Sequence, residues 1–189
     1  DAIDRMMLEL LDELFQGRER AALRAIDDPS SRVVPAARVN NGAVAREGSR
    51  GVLGFIDGTA NPGTEDRPSV ALVGDADPSF RDGSYMTFRK IREDVAAWNK
   101  LSPRAQEDAV GRRKADSAEF DPPPPTSHVA RTDQDAFGKI FRRNIAYGTV
   151  ASHCTIFVGF SAQQRILTAM LESMIGAGDG PPDALTTVT

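Results

Sequence analysis

The sequence predicts an α+β fold of the ferredoxin-like class. In the C-terminal half the patterns follow the order strand, helices, strand, strand, helix, which is a βαββαβ unit whose closing strand is missing. Hydrophobic residues make up 40% of the 189 residues, which is enough to build a core. Cys154 is the single cysteine, which excludes an intramolecular disulfide, so the fold has to depend on packing.

The first 50 residues are predicted to contain one helix and an irregular connection. Apolar side chains recur at helical spacing over Asp4–Phe15, which predicts an amphipathic helix. Residues 17–50 are polar and weakly periodic, so we expect little regular structure there.

The middle of the chain alternates between turns and regular elements. Residues 51–56 form a short apolar run that enters a turn at Asp57-Gly58. Alternating side chains predict a strand over Ser84–Ile91. Helices are predicted at Asp94–Asn99 and at Ser102–Gly111.

The C-terminal third begins with a stiff connector and ends in a loop. Pro122–Pro125 predict an extended polyproline segment. Strands are predicted over Asn144–Tyr147 and Thr155–Phe160, followed by an amphipathic helix over Ala162–Met174. Beyond Gly176 glycine and proline are frequent, and no closing strand is recognisable.

Charge and hydropathy argue against two classes of function. Lysine and arginine number 23 against 27 acidic residues, so no basic excess exists to neutralise a phosphate backbone. The longest apolar run, Ile156–Phe160, is far shorter than the ~20 residues of a membrane-spanning helix. The acidic N-terminus lacks the basic region of a secretory signal peptide. We therefore expect a chain that binds neither nucleic acid nor membrane.

Four positions could carry chemistry, and each also has an ordinary structural interpretation. His128 follows the polyproline segment and is a candidate metal ligand, although a lone loop histidine usually has no such role. His153, at a turn before a strand, has no further support. Asp57 lies between an apolar run and a glycine turn, which suits either a general base or an Asx turn. Arg142 enters a strand, where it either faces solvent or reaches a buried anion.

Five segments between Gly51 and Ile175 form a specific combination of motifs. In chain order they are GFIDGTANP, GSYMTFRKIREDVAAWNKLSPRAQEDAVGRRK, SHV, IFRRNIAYG and IFVGFSAQQRILTAMLESMIG. A GxxDG motif alone is common, but its combination with the other four segments in this order is not. The sequence resembles the dye-decolorising peroxidase family, in its bacterial cytoplasmic branch.

The resemblance implies a haem site with residues on both sides of the iron. His128, in the SHV segment, resembles the proximal ligand of the haem iron. Asp57 resembles the distal aspartate, and Arg142 and Asn144 resemble the distal arginine and asparagine. Gly58 completes the GxxDG motif and is expected at the cofactor.

Other positions are implied to line the haem. Arg89 falls where several relatives place a residue near a haem propionate. Phe157, Met170, Leu171 and Met174 occupy family positions on the haem wall, but core packing accounts for these side chains equally well.

The family folds as two ferredoxin-like domains. We therefore interpret residues 1–50 as the remnant of a first domain with its linker, and residues 51–189 as the haem-binding C-terminal domain. In part of the family a carboxylate near the C-terminus orients the proximal histidine. Asp183 is the one acidic residue in the matching stretch DALTTVT and is a weak candidate for this role.

The implied function is that of a haem peroxidase with one haem b per chain. It would reduce hydrogen peroxide and oxidise small aromatic donors, such as dyes and phenolics, by one-electron steps. Asp57 would move the peroxide proton as a base and then an acid, Arg142 would stabilise the leaving oxygen, and Asn144 would position the peroxide. The resemblance also implies a cytoplasmic homo-oligomer. Candidate radical relays between haem and donor are Trp98, Tyr85 and Tyr147.

Two other functions stay open at this point. A haem-carrying module without useful turnover would also show the Soret band of bound haem, so peroxide-dependent dye oxidation separates it from a peroxidase. A ferredoxin-like structural domain would take up no haem at all.

Overall fold

The computed structural model describes residues 50–149, 152–177 and 180–189. The helix predicted at Asp4–Phe15 and the interpreted domain remnant lie outside the described residues. The helices are α1 (Arg67–Ala71), α2 (Val95–Lys100), α3 (Pro103–Val110), α4 (His128–Arg131), α5 (Gln134–Phe137) and α6 (Gln164–Ile175). The strands are β1 (Tyr85–Arg92), β2 (Phe141–Thr149) and β3 (Ser152–Ser161). Two short 3₁₀ helices span Pro78–Phe80 and Ala184–Thr187.

The three strands form one antiparallel sheet in the order β1-β3-β2. Arg89 of β1 lies opposite Phe157 of β3, which in turn lies opposite Asn144 of β2. The row two residues further along contains Thr87, Gly159 and Arg142. Because side chains alternate between the two faces of a strand, these two rows project from the same face of the sheet. The α+β fold with an antiparallel sheet confirms the predicted fold class.

The opposite face of the sheet is closed by aromatic and aliphatic side chains. Ile156, Val158 and Phe160 of β3 are each at most 1% exposed. The ring of Phe160 stacks on that of Phe141, with 6.4 Å between the centroids. The guanidinium of Arg67 in α1 lies 5.1 Å from the Phe141 centroid and covers this face.

Helix α6 packs on the face that carries Phe157. Leu167 and Met170 are buried there together with Ile140, in one cluster that includes the Phe157 ring. Burying a side chain of this size contributes about 1.5–3 kcal/mol. The predicted bounds of this helix, Ala162–Met174, agree with the observed ones within two residues.

A second cluster holds the C-terminal residues in place. Phe55, Trp98, Val110 and Val188 are all buried in it. Phe55 and Trp98 meet edge to face, with 6.4 Å between the ring centroids. The Val188 carbonyl accepts a hydrogen bond from the Asp94 N–H at 2.8 Å, so the end of the chain is fixed beside α2 and α3.

The observed bounds of α3, Pro103–Val110, agree within one residue with those predicted from its capping signals. The Ser102 hydroxyl accepts from the Ala105 N–H at 3.2 Å at its start, and Gly111, with φ 86°, ends it in the left-handed region.

The strand predicted at Asn144–Tyr147 is longer, spanning Phe141–Thr149. Its start was missed because an arginine pair resembles a polar loop, although the backbone there continues the ladder. Among the described residues, no helix is both long and apolar enough to cross a membrane.

Candidate active site

One cavity of about 250 Å³ lies between the sheet, α6 and the segment that follows residue 50. The residues that the resemblance assigns to the haem site all line this cavity. They are Asp57, Gly58, Arg89, His128, Arg142, Asn144, Phe157 and Met170, and Leu171 and Met174 join them. The structure thus brings together residues that lie more than 100 positions apart in the chain.

His128 is held by a buried carboxylate. It is the first residue of α4, whose start is capped by the Ser127 hydroxyl through the Ala130 N–H at 3.2 Å. The Nδ1 atom of His128 lies 2.6 Å from Oδ2 of Asp183, which is 0% exposed. The other carboxylate oxygen of Asp183 accepts from the Leu185 N–H at 2.9 Å.

This pairing decides which ring nitrogen of His128 can bind a ligand. An ionised carboxylate only accepts hydrogen bonds, so Nδ1 of His128 carries the donated proton. Nε2 is then the nitrogen with a lone pair, and a carboxylate partner makes it more basic. The 2.6 Å contact makes Asp183 a closer partner of His128 than the sequence indicated.

Asp57 lies at the other end of a short hydrogen-bond network. Its Oδ1 accepts from Nδ2 of Asn144 at 2.9 Å and from the Gly58 N–H at 2.8 Å. Gly58 has φ 77°, a conformation that costs glycine little and strains other residues. Both donors approach Oδ1, which leaves Oδ2 as the oxygen that can take a proton from a ligand.

Arg142 brings a buried positive charge beside this carboxylate. Burial lowers the pKa of Arg142 from its usual value, the negative charge of Asp57 acts in the opposite direction, and nearby Arg112 lowers it further. An arginine nevertheless stays protonated in a protein. The site therefore holds a fixed cation next to the Asp57 carboxylate.

Asn61 positions Arg142 and was missed from the sequence. Its side-chain Nδ2 donates to the Arg142 carbonyl at 2.9 Å, and its Oδ1 accepts from the Arg142 N–H at 3.1 Å. This two-way contact ties the loop that carries Asp57 to strand β2. The sequence signal was the asparagine of GTANP, which is interpreted more simply as a turn residue.

Arg112 is a second arginine at the site, partly buried, that the sequence analysis missed. Its guanidinium donates to the Ser117 carbonyl at 2.9 Å and pairs with Glu119. Burial lowers the pKa of Arg112, and the charge of Glu119 opposes that change. Arg112 lines both the first cavity and an adjoining polar cavity of about 350 Å³.

The donor set and the walls of the first cavity fit a haem group. Nε2 of His128 is the kind of nitrogen that binds haem iron. Phe157, Leu167 and Met170 supply an apolar wall for the porphyrin plane. Arg89 donates to the Met174 thioether at 3.5 Å, a weak acceptor, so a propionate carboxylate would be a much better partner for its guanidinium.

Comparison with known proteins decides the family. The family model described as "Dyp-type peroxidase, C-terminal" matches residues 48–189. The chain belongs to the Dyp-type peroxidase family. A dye-decolorizing peroxidase of Mycolicibacterium paratuberculosis is 37% identical over 141 residues, which cover 70% of this chain and 40% of that protein. A dye-decolorizing peroxidase of Rhodococcus erythropolis is 36% identical over 153 residues, or 74% and 45% of the two chains.

Solved Dyp-type structures share the fold. DyPB from Rhodococcus jostii RHA1 superposes with a TM-score of 0.67 at 37% identity, covering 74% of this chain and 48% of that one. A dye-decolorizing protein from V. cholerae gives the same TM-score at 42% identity. Variants of the R. jostii protein were solved in complex with haem. This chain spans less than half the length of the curated Dyp-type relatives named above.

Four further candidate positions from the sequence are not among the residues that line the cavity as described. Trp98 is 2% exposed in the second cluster, where its indole N–H donates to the Leu53 carbonyl at 3.3 Å, so packing accounts for it. The side chains of His153 and Tyr147 lie outside the described residues. Tyr85 packs against the cluster that borders the cavity.

Proposed function

We propose that this chain is the haem-binding part of a peroxidase that reduces hydrogen peroxide and oxidises small aromatic donors by one-electron steps. One haem b per chain would occupy the 250 Å³ cavity. The observation that carries the proposal is the presence of two separate polar groups on that one cavity. His128 with Asp183 forms one group, and Asp57 with Arg142 and Asn144 forms the other.

On one side of the cofactor, His128 would bind the iron through Nε2. Asp183 keeps the proton on Nδ1 and gives the imidazole partial anionic character. Such a ligand favours the higher oxidation states of the iron. The chemistry that haem supplies when bound is the breaking of the peroxide O–O bond and the return of two electrons, one at a time, from donors.

On the other side, Asp57 would take the proton from the inner oxygen of hydrogen peroxide and deliver it to the outer one. A general base in this position contributes about 10²–10⁴-fold to the rate. Arg142 would stabilise the negative charge that develops on the leaving oxygen. Asn144 donates to Asp57, so the geometry supports a role in orienting that carboxylate as well as the predicted one of positioning peroxide.

The test begins with haem titration followed by absorbance. We expect a Soret band with one haem per chain, which His128→Ala abolishes and the matched control His153→Ala leaves unchanged. The reverse pattern, or haem binding by neither, contradicts the proposal. Peroxide-dependent oxidation of a phenolic donor by the loaded protein then separates a peroxidase from a haem carrier.

The location and assembly of the protein form part of the same proposal. We expect a cytoplasmic homo-oligomer that binds neither nucleic acid nor membrane. Cell fractionation and light scattering of the purified protein test these expectations, and a monomer in solution would contradict the second.

A further inference from the structure

A tight turn follows α3 and contains a serine in an unusual conformation. Ser117 is 2% exposed and has φ 58°, in the left-handed region that strains a residue with a Cβ. The turn closes on itself, because the Ser117 N–H donates to the Arg113 carbonyl at 2.8 Å and the Arg113 N–H donates to the Ala118 carbonyl at 2.9 Å. Arg112 and Glu119 form an isolated β-bridge at its base. The surrounding structure imposes the strain on Ser117, and such strain is concentrated at functional sites.

The Ser117 hydroxyl contacts the residue that precedes Asp57. Its Oγ accepts a hydrogen bond from the Ile56 N–H at 2.9 Å, across a separation of 61 residues. Ile56 is the last residue of the apolar run that begins at residue 51, and Asp57 follows it directly. The contact therefore fixes the backbone immediately before the carboxylate.

Asp57 lies between two anchors of its loop. On the C-terminal side, Asn61 holds the Arg142 backbone, and Nε2 of Gln134 donates to the Ala60 carbonyl at 2.9 Å. On the N-terminal side, the anchor is the Ser117 hydroxyl. A proton acceptor has to lie within about 2.6–3.2 Å of its donor, and a displacement of about 1 Å can cost 10²-fold in rate. Loss of one anchor is therefore expected to reduce the efficiency of Asp57.

Ser117 also holds the nearby Arg112, but through its backbone. The Ser117 carbonyl accepts from Nη1 of Arg112 at 2.9 Å, and the positive charge of Arg112 acts on Arg142. Because the carbonyl is present in every residue, this contact is retained when the side chain of Ser117 is changed. The contribution of the hydroxyl can thus be tested by itself.

We propose that Ser117 is a positioning residue for Asp57, whose carboxylate it keeps within reach of the proton to be transferred by holding the Ile56 N–H. The proposal rests on the proposed peroxidase function, in which Asp57 takes the peroxide proton. Ser117 is not among the residues that line the cavity as described, so it acts through the Ile56 backbone. Alanine at this position keeps the strain and glycine relieves it, but neither side chain can accept a hydrogen bond. The effects of strain and of the hydroxyl are therefore separable.

The first test measures hydrogen exchange at the Ile56 amide of the full chain. Ser117→Ala removes the acceptor and should speed this exchange about fivefold to tenfold, and Ser117→Gly should do the same. The reference is the Ala105 amide, which donates to the Ser102 hydroxyl and should keep its exchange rate. The glycine variant, which is free of strain, keeps the test valid where alanine weakens the fold. Equal exchange at Ile56 with and without the hydroxyl would overturn the proposal.

The second test follows cyanide binding to the haem-loaded protein. Hydrogen cyanide has to give up its proton to bind ferric iron, so its association rate reports on Asp57 without turnover. We expect Ser117→Ala and Ser117→Gly to slow this association, and the reaction with peroxide, by the same factor of about ten or more. The Soret band should be unchanged, because the contacts of His128 are untouched.

Two controls separate positioning from a general loss of stability. Ser161 is 0% exposed, and its hydroxyl accepts from the Gln163 N–H at 3.1 Å, so Ser161→Ala removes a similar contact at the end of β3. It should leave the cyanide and peroxide rates unchanged. In the Asp57→Ala background, Ser117→Ala should cause no further loss of rate, since the residue it positions is gone.

The two possible failures are distinguishable. Unchanged rates in Ser117→Gly, or an effect of Ser117→Ala that persists in the Asp57→Ala background, overturn the role of Ser117 alone. The absence of any peroxide reaction in the unmodified, haem-loaded protein overturns the proposed function as well.

Discussion

Replacing Asp183 with asparagine tests the carboxylate that holds His128. The asparagine side chain would keep the shape of the aspartate, and its amide oxygen could still accept from the Leu185 N–H or from Nδ1 of His128. The substitution removes only the negative charge 2.6 Å from the imidazole. We expect haem binding to persist and the reduction potential of the bound iron to rise, because the ferric state loses an electron-rich ligand.

The size of this shift follows from the hydrogen-bond energies. A hydrogen bond to a charged group is worth about 1.5–3 kcal/mol and one between neutral groups about 0.5–1.5 kcal/mol, a difference of about 1–1.5 kcal/mol. For a one-electron couple, about 1.4 kcal/mol corresponds to about 59 mV. If the ferric state alone gains from the charge, Asp183→Asn raises the potential by about 40–65 mV.

Spectroelectrochemical titration of the haem-loaded protein measures this shift. Asp116→Asn is the matched control, because Asp116 is exposed and pairs with Arg113 at 2.8 Å on the surface. A shift of the same size in both variants would be a general effect of charge. An unchanged potential in Asp183→Asn, with its Soret band intact, would refute the reasoning.

Three further predictions concern the opposite side of the site and Tyr85. Asn61→Ala removes two hydrogen bonds to the Arg142 backbone, each worth about 1 kcal/mol. We expect the peroxide reaction, followed by stopped-flow absorbance, to slow about tenfold or more while haem binding is retained. In the same assay, the peroxide reaction should be slowest in Arg142→Leu, intermediate in Asp57→Ala and fastest in Asn144→Ala. If the reaction is slower in Asp57→Ala than in Arg142→Leu, proton transfer limits the rate and this ranking is wrong. A hydrogen bond to Asp77 raises the pKa of Tyr85, which lets the unfolded chain lose its phenolic proton first, so folding stability falls as pH rises above about 10. Tyr85→Phe should reduce this loss of stability, measured as the free energy of unfolding in urea at a series of pH values. An unchanged pH dependence would contradict a raised pKa of Tyr85.

Local elements of this fold could be predicted because their signals are local. Helix α3 begins at a serine cap and ends at a glycine in the left-handed region, and both signals lie within the element itself. The alternation that predicted β1 likewise needs only neighbouring residues. The short helix α4 was interpreted as a loop because four residues show no period, although Ser127 caps it.

The contacts of the site could be predicted only in part, because they join distant segments. The motifs identified Asp57 and His128 by resemblance, and the structure places both on one cavity. Neither propensity nor periodicity shows that Asn144 donates to Asp57, 87 residues away. The two contacts of Asn61 with Arg142 are equally invisible, since they depend on how the loop packs against the strand.

The long sequence separations within the site have a consequence for the order of events during folding. The contacts of His128 with Asp183, of Asn61 with Arg142 and of Asp57 with Asn144 span 55, 81 and 87 residues. Contacts of this range close long loops, so they are costly in chain entropy and slow to form. Capture of the cofactor would thus follow the formation of these contacts, and the bound group would then stabilise only chains that had already made them.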